Sequence, residues 1–257
     1  MKQKIIQSIR IIMGFNIVSV FTLITSGYHS FLKACYRAFV AAHMVDITEL
    51  SAIPQISLDQ ILGKVRPTIH MTIMSSENGR VPSDQAIAII AILAKEQPKE
   101  VLEIGTFFGH TTRLIAENLP NGIIHTLDLP QEFNSKGDLK SIPKDDSHLI
   151  ERRIVGREFI GSIYEKQIRQ HFADTATWDF SEEGEPTFFF IDGSHTYEYC
   201  KNDSEKCFTL CKGRGVFLWH DCDFGHPGVV KFINEWRTMG RDIVRIEGTP
   251  IAYWKSF

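Results

Sequence analysis

Cysteine is scarce in this chain of 257 residues. The five present, Cys35, Cys200, Cys207, Cys211 and Cys222, are odd in number and include no C-x-x-C pair, which gives no disulfide framework and fits a reducing compartment. Charge of one sign is also scarce. The formal net charge is −3 and 43% of residues are hydrophobic, the balance of an ordinary soluble domain and not of a nucleic-acid binder. No internal repeat or low-complexity tract appears. Absent too is G-x-G-x-x-G, the pattern that seats a pyrophosphate on a helix N-terminus, and this argues against an NAD-dependent oxidoreductase.

One local absence divides the chain. No acid precedes Asp46, whereas Lys2, Lys4, Arg10, Lys33 and Arg37 do, so a basic, apolar arm is joined to an acidic body. Ile11–Leu32 is a run without formal charge, long enough to span a bilayer. Asn16, Ser19, Thr22, Thr25, Ser26 and His29 make it a poor hydrocarbon segment. A membrane helix, an interfacial or partner-docking helix and a buried cap on the fold all remain open, the cap favoured. A cleaved secretory signal is not expected, because no small-x-small site ends a compact apolar core. The length suits one α/β domain with an appendage: a helical arm over 1–80 and a catalytic domain over 81–257.

The densest signal is VLEIGTFFGHTT, Val101–Thr112, answered by IIHTLD, Ile123–Asp128. An apolar strand enters a glycine turn, a helix follows, and a second apolar strand ends in an acid, which is the plan of an α/β nucleotide-binding half. Gly105 and Gly109 let the backbone approach a ligand, and Asp128 is placed to accept hydrogen bonds from ribose hydroxyls. Glu103 would repel a pyrophosphate but suits the ammonium of an amino acid. The plainer alternative is a glycine turn between any strand and helix. Thr106, Thr111 and Thr112 read equally well as cofactor contacts or as hydroxyls satisfying helix-start N–H groups, and His110 reads as a surface helix residue.

PTFFFIDGSH, Pro186–His195, repeats the plan, with a helix over about Tyr197–Cys211 and then GVFLWHD, Gly215–Asp221. In a parallel sheet the carboxyl ends of neighbouring strands open onto one crevice, so Asp192, His195, His220 and Asp221 should converge there. Carboxylates and imidazoles together make a divalent-cation site plausible, with oxygen ligands favouring Mg²⁺ and a histidine admitting Mn²⁺. His195 lies within reach of general-base work, against the alternative of a turn histidine that caps the next helix.

The pattern E-x-G-x-x-x-G resembles motif I of class I S-adenosylmethionine-dependent methyltransferases. Together with IDGSHTYEY and WHD it resembles the metal-dependent small-molecule O-methyltransferases, nearest to the macrolide-sugar and cephalosporin-pathway enzymes and more distantly to catechol O-methyltransferase. The resemblance runs from Val81 to Trp254. It implies a Rossmann-like, seven-stranded, mostly parallel sheet with an antiparallel ending near 242–246 and 250–254. It also implies S-adenosylmethionine as cofactor, and a divalent metal on Asp192 and Asp221. His195 would be the general base, and Asp174, after a strand over Gln167–Phe172, would lie by the adenine amino group. Ala173 stands where relatives carry glycine, and His220 where they often carry a further carboxylate ligand.

The expected activity is O-methylation of a sugar or secondary metabolite in the cytoplasm, with no nucleic-acid partner and with a homo-oligomer and membrane association through the arm left open. A non-catalytic scaffold with the same fold is the rival. The polar insert over about 130–157 and the stretch Ser75–Asp84 are expected to cover the crevice, and Pro82-Ser-Asp84 reads as the start of a helix over 85–95.

Overall fold

The computed structural model describes residues 47–72, 80–130, 154–182 and 184–256. The uncharged run Ile11–Leu32 and most of the polar insert lie outside the described residues. Among the described residues no helix is long and apolar enough to cross a membrane.

The elements in chain order are α1 (Ile47–Ser51), β1 (Gln55–Ile56), α2 (Leu58–Leu62), α3 (Ser83–Glu96), β2 (Glu100–Ile104), α4 (His110–Asn118) and β3 (Ile123–Asp128). They continue with β4 (Ile168–Phe172), β5 (Phe188–Ile191), α5 (Tyr197–Leu210), β6 (Val216–Trp219), α6 (Pro227–Thr238), β7 (Val244–Ile246) and β8 (Ala252–Lys255). They build an eight-stranded sheet in the order β1-β7-β8-β6-β5-β2-β3-β4. β8 runs antiparallel to both neighbours, β6 and β7, and the other pairings are parallel. The strand beyond the expected seven is β1, whose Gln55 and Ile56 pair with Arg245 and Ile246. Residues expected in the arm therefore extend the sheet of the domain.

β2, β5 and β6 are the most apolar strands because helices cover both their faces. On one face, α3 and α4 pack Ile89, Ile90, Leu93, Leu114 and Ile115 against Val101, Phe188, Phe190 and Leu218. On the other, α5 and α6 bring Cys200, Cys207, Phe232 and Trp236 onto Leu102, Phe189, Phe217 and Trp219. Phe188, Phe189, Phe190 and Phe217 are fully buried, each contributing roughly 1.5–3 kcal/mol of transfer free energy. Cys200 and Cys207 act as small apolar core residues.

α3 starts two residues earlier than the sequence pattern indicated, with Pro82 at its N-cap and Asp84 in its first turn, where an acid meets the positive end of the helix dipole. α5 is capped by Thr196, whose hydroxyl accepts the Tyr199 N–H. The cap is thus the neighbour of His195 and not His195 itself.

Candidate active site

The chain moves outward from β2 through β3 to β4, then crosses back to β5 on the other side of β2. Ligands of open α/β sheets bind where the winding reverses, so the crevice lies beyond the carboxyl ends of β2 and β5. The two ends are in close contact there. Gly105 has φ +102°, and a Cβ on it would lie 2.0 Å from the Asp192 carbonyl oxygen, so glycine is the residue that lets the strand ends approach.

Below this loop Glu103 is fully buried. It stands in register with Thr126 on β3, and one carboxylate oxygen accepts the hydroxyls of Thr126, at 2.6 Å, and Thr112. The other oxygen, Oε1, has no hydrogen-bond partner. Burial, tempered by the two threonines, raises its pKa to about 8. The Thr106 hydroxyl meets Thr126 at 2.8 Å and takes the Gln170 amide at 3.1 Å, and Gly109 forms the N-cap of α4.

Asp128 at the tip of β3 holds the loop, accepting the Phe107 N–H at 2.7 Å and the Leu129 N–H at 2.6 Å. Asp174, two residues beyond β4, accepts the Ala176 N–H at 2.9 Å and the Tyr199 hydroxyl at 3.0 Å. His110 is buried at the start of α4, which corrects its reading as a surface residue. Burial, followed by the Arg80 charge, lowers its pKa. The described end of the insert lies on the glycine loop, where the N–H groups of Gly156 and Glu158 donate to the Phe107 and Phe108 carbonyls, both at 2.9 Å.

At the ends of β5 and β6 the four expected residues do come together. His220 Nδ1 stands 3.0 Å from Asp192 Oδ1 and 3.1 Å from Asp221 Oδ2, and His195 Nε2 stands 2.7 Å from that same Oδ2. Asp221 has φ +57°, a left-handed conformation that is costly for a non-glycine residue and recurs at functional sites.

Two residues enter the site that the sequence did not reveal. Gln85, in the first turn of α3, places its amide oxygen 2.6 Å from His220 Nε2. His226, just before α6, has Nδ1 3.6 Å from Asp221 Oδ1 and 2.9 Å from Asp223 Oδ1. The DCDFGHPG run after the Trp-His-Asp motif carries a signal for His226, whereas nothing in the sequence links Gln85 to a residue 135 positions away. Cys222 beside Asp221 is fully buried; burial pushes its thiol up to about 12, which makes it a bystander.

The charges in this half are strongly coupled. Burial opposes a cation on His220, but Asp192 and Asp221 outweigh it and raise the pKa to about 11. Burial likewise opposes charge on Asp221, and His195 and His220 hold its carboxyl well below the usual range.

The buried Nδ1 of His220 nevertheless has no correctly angled hydrogen-bond partner. Its contacts with the two carboxylates, at 3.0 Å and 3.1 Å, are charge contacts. Donor atoms around a small ion at about 2.1 Å stand roughly 3 Å apart; His220 has that spacing to Asp192 and to Asp221, and one donor atom from each of the three residues lies within 4.8 Å of the others. The residues fit a divalent cation.

Residues 102–222 match the family Methyltransf_24, a methyltransferase domain. Among solved structures, a protein described as an O-methyltransferase from Klebsiella pneumoniae is similar over 85% of this chain and 94% of its own, at 16% identity and TM-score 0.51. The methyltransferase PaMTH1 from Podospora anserina, solved with S-adenosylhomocysteine, is similar over 89% and 97%, at 13% identity and TM-score 0.50. No curated protein matches the chain at a significant level. Residues 102–222 are thus similar to a methyltransferase domain, and the chain shares its fold with solved methyltransferases.

Proposed function

We propose that this domain transfers a methyl group from S-adenosylmethionine to a hydroxyl oxygen of a small molecule, a sugar or secondary metabolite, in the cytoplasm. In this reading a divalent cation, Mg²⁺ or Mn²⁺, is held by Asp192, His220 and Asp221. The observation that carries it is the meeting of these residues and His195 beside the glycine loop, at the point where the sheet reverses its winding.

Gly105 and Gly109 frame the cofactor loop and Asp128 fixes its shape, with Thr106 bonded beneath it. The orphaned Oε1 of Glu103 is an acceptor suited to an ammonium group, and Asp174 lies beyond β4 on the adenine side. S-adenosylmethionine supplies the electrophilic methyl group, and a cation at Asp192 and Asp221 would make a neighbouring hydroxyl more acidic.

Asp221 fixes the His195 ring through Nε2, so a neutral imidazole carries its proton there and presents Nδ1 as the acceptor. The proton of the acceptor hydroxyl goes to Nδ1 as the oxygen–carbon bond forms and the carbon–sulfur bond breaks. Gln85 at Nε2 of His220 sets the other ring nitrogen toward the carboxylates, the arrangement that outer partners give to metal-binding histidines.

S-adenosylhomocysteine should raise the melting temperature while NAD does not. Exhaustive chelation should abolish methyl transfer, Mn²⁺ or Mg²⁺ should restore it, and S-adenosylhomocysteine affinity should stay unchanged throughout. Stabilisation by NAD alone would overturn the transferase reading, and full turnover after chelation would remove the cation from it.

A further inference from the structure

The proposed chemistry leaves His226 unused, although it closes a second cluster. One ring nitrogen of His195, one of His226 and a carboxylate oxygen of Asp221 lie within 4.8 Å of one another. Asp221 offers Oδ2 to His195, at 2.7 Å, and Oδ1 to His226, at 3.6 Å.

Two backbone features bring these groups together. The left-handed conformation of Asp221 turns its side chain back between the rings. The other is Gly228 in the first turn of α6, where a Cβ would stand 2.4 Å from the His195 carbonyl oxygen and 2.5 Å from the Tyr197 nitrogen. Only glycine lets the helix start close onto that turn, and the His195 and His226 rings are then 4.5 Å apart between centroids. The side chains of His195, Asp221 and His226 are 27%, 15% and 30% exposed, so an ion can reach them from solvent.

Two imidazole nitrogens and one carboxylate, with a position left open, form the donor set of three-ligand zinc centres. Nitrogen donors favour Zn²⁺ over the oxygen-seeking Mg²⁺. Ligand atoms about 2.0–2.2 Å from a tetrahedral ion stand roughly 3.3–3.6 Å apart; His226 is at that distance from Asp221, at 3.6 Å, and His195, at 2.7 Å, would draw back by less than about 1 Å to admit an ion. Asp223 Oδ1, 2.9 Å from His226 Nδ1, now holds the ring in place and would have to yield that nitrogen to an ion.

We propose that His195, Asp221 and His226 form a second cation site, selective for Zn²⁺, whose loading switches the transferase off. The inhibitory consequence rests on the reading of His195 as proton acceptor. A neutral imidazole has one lone pair, so coordination through Nε2 leaves the ring proton on Nδ1 and removes the acceptor.

The test uses metal-stripped full-length protein in excess Mg²⁺, titrated calorimetrically with Zn²⁺ as wild type, His226→Ala and His220→Ala. Zinc-edge X-ray absorption of the loaded wild type counts imidazole ligands without needing any variant to fold. Loss of an outer partner alone costs about 10–100-fold in metal affinity, so removing the His226 ligand should weaken Zn²⁺ by about 100-fold or more. His220→Ala should change it far less, and the absorption spectrum should show two imidazoles. If His220→Ala loses Zn²⁺, His226→Ala keeps it and one imidazole is seen, the ion belongs at Asp192, and the second site is refuted while the cation of the transferase stands. If wild type binds no Zn²⁺, the second site is refuted as well, and the S-adenosylhomocysteine and Mn²⁺ titrations judge the transferase reading separately.

Discussion

The two ends of the crevice use their carboxylates in different ways. At the β2–β3–β4 end each acid is engaged by neutral protein donors: Glu103 by two threonine hydroxyls, Asp128 by two backbone N–H groups, Asp174 by a tyrosine hydroxyl and an N–H. At the β5–β6 end Asp192 and Asp221 face imidazoles. The electrostatic results are opposite. Burial holds a proton on the Glu103 carboxyl up to about pH 8, whereas Asp221 stays ionised and His220 carries the cation. The first set of acids shapes a loop through neutral hydrogen bonds and costs little in unpaired charge, because Glu103, whose Oε1 has no partner, is held protonated by burial. The second set keeps charge concentrated, with an imidazolium beside two carboxylates supplying the positive charge that a divalent cation ligated by the same ring would supply.

The largest expected effect falls at the β5–β6 end. His195→Ala should lower kcat about 10²–10⁴-fold, the usual worth of a general base, with S-adenosylhomocysteine affinity unchanged because its proposed contacts all lie at the other end. The acid limb of the pH–rate profile should disappear with it. Steady-state kinetics and a calorimetric titration check both halves of this prediction. A variant with near-normal kcat would return His195 to a structural part, and a parallel loss of cofactor affinity would erase the division between the two ends.

A smaller effect is expected at Gln85. Gln85→Leu removes the amide oxygen 2.6 Å from His220 Nε2 and so frees the ring to rotate. Mn²⁺ affinity, followed by electron paramagnetic resonance, should fall about 10–100-fold, again with S-adenosylhomocysteine affinity intact. Unchanged Mn²⁺ affinity would show that the carboxylates alone hold the ion.

The strands and the acids that end them were legible because a buried parallel strand is a near-continuous apolar run that stops abruptly at a polar tip. Glu103, Asp128, Asp192 and Asp221 all announce themselves in this way, and their convergence follows from the winding of the sheet. Burial depth was not legible: His110, which reads as a surface residue, is covered, and a periodicity of 3.6 does not register how closely the end of the insert lies on α4. The two-residue β1 is too short to show a pattern. Gln85 is invisible for a different reason, since its partnership depends on the tertiary path that brings the start of α3 under β6. Gly228 reads as an ordinary residue after a helix-start proline, and only the packed structure shows that its missing side chain sets the distance between two histidines.

The smallest effect separates the two ends by their response to pH. Glu103 has a folded pKa of about 8 against an ordinary glutamate value of 4.5, so between those limits the folded state binds the proton more tightly than the unfolded chain. Its stabilising contribution is complete below the unfolded value and is lost as pH rises toward the folded one, at a ceiling of roughly 1.4 kcal/mol per pH unit. Glu103→Gln keeps an acceptor oxygen for Thr112 and Thr126 but cannot ionise. In cofactor-free protein, the melting temperature of wild type should therefore fall relative to the variant between pH 5 and pH 8, by a few degrees for each kcal/mol. Asp203, fully buried with its pKa raised by burial to about 6, contributes the same trend to both proteins and cancels in the difference. Parallel melting curves across that range would mean that Glu103 is already ionised in the fold. Its orphaned oxygen would then meet a cationic partner, and the contrast between the two ends would fail at its most buried residue.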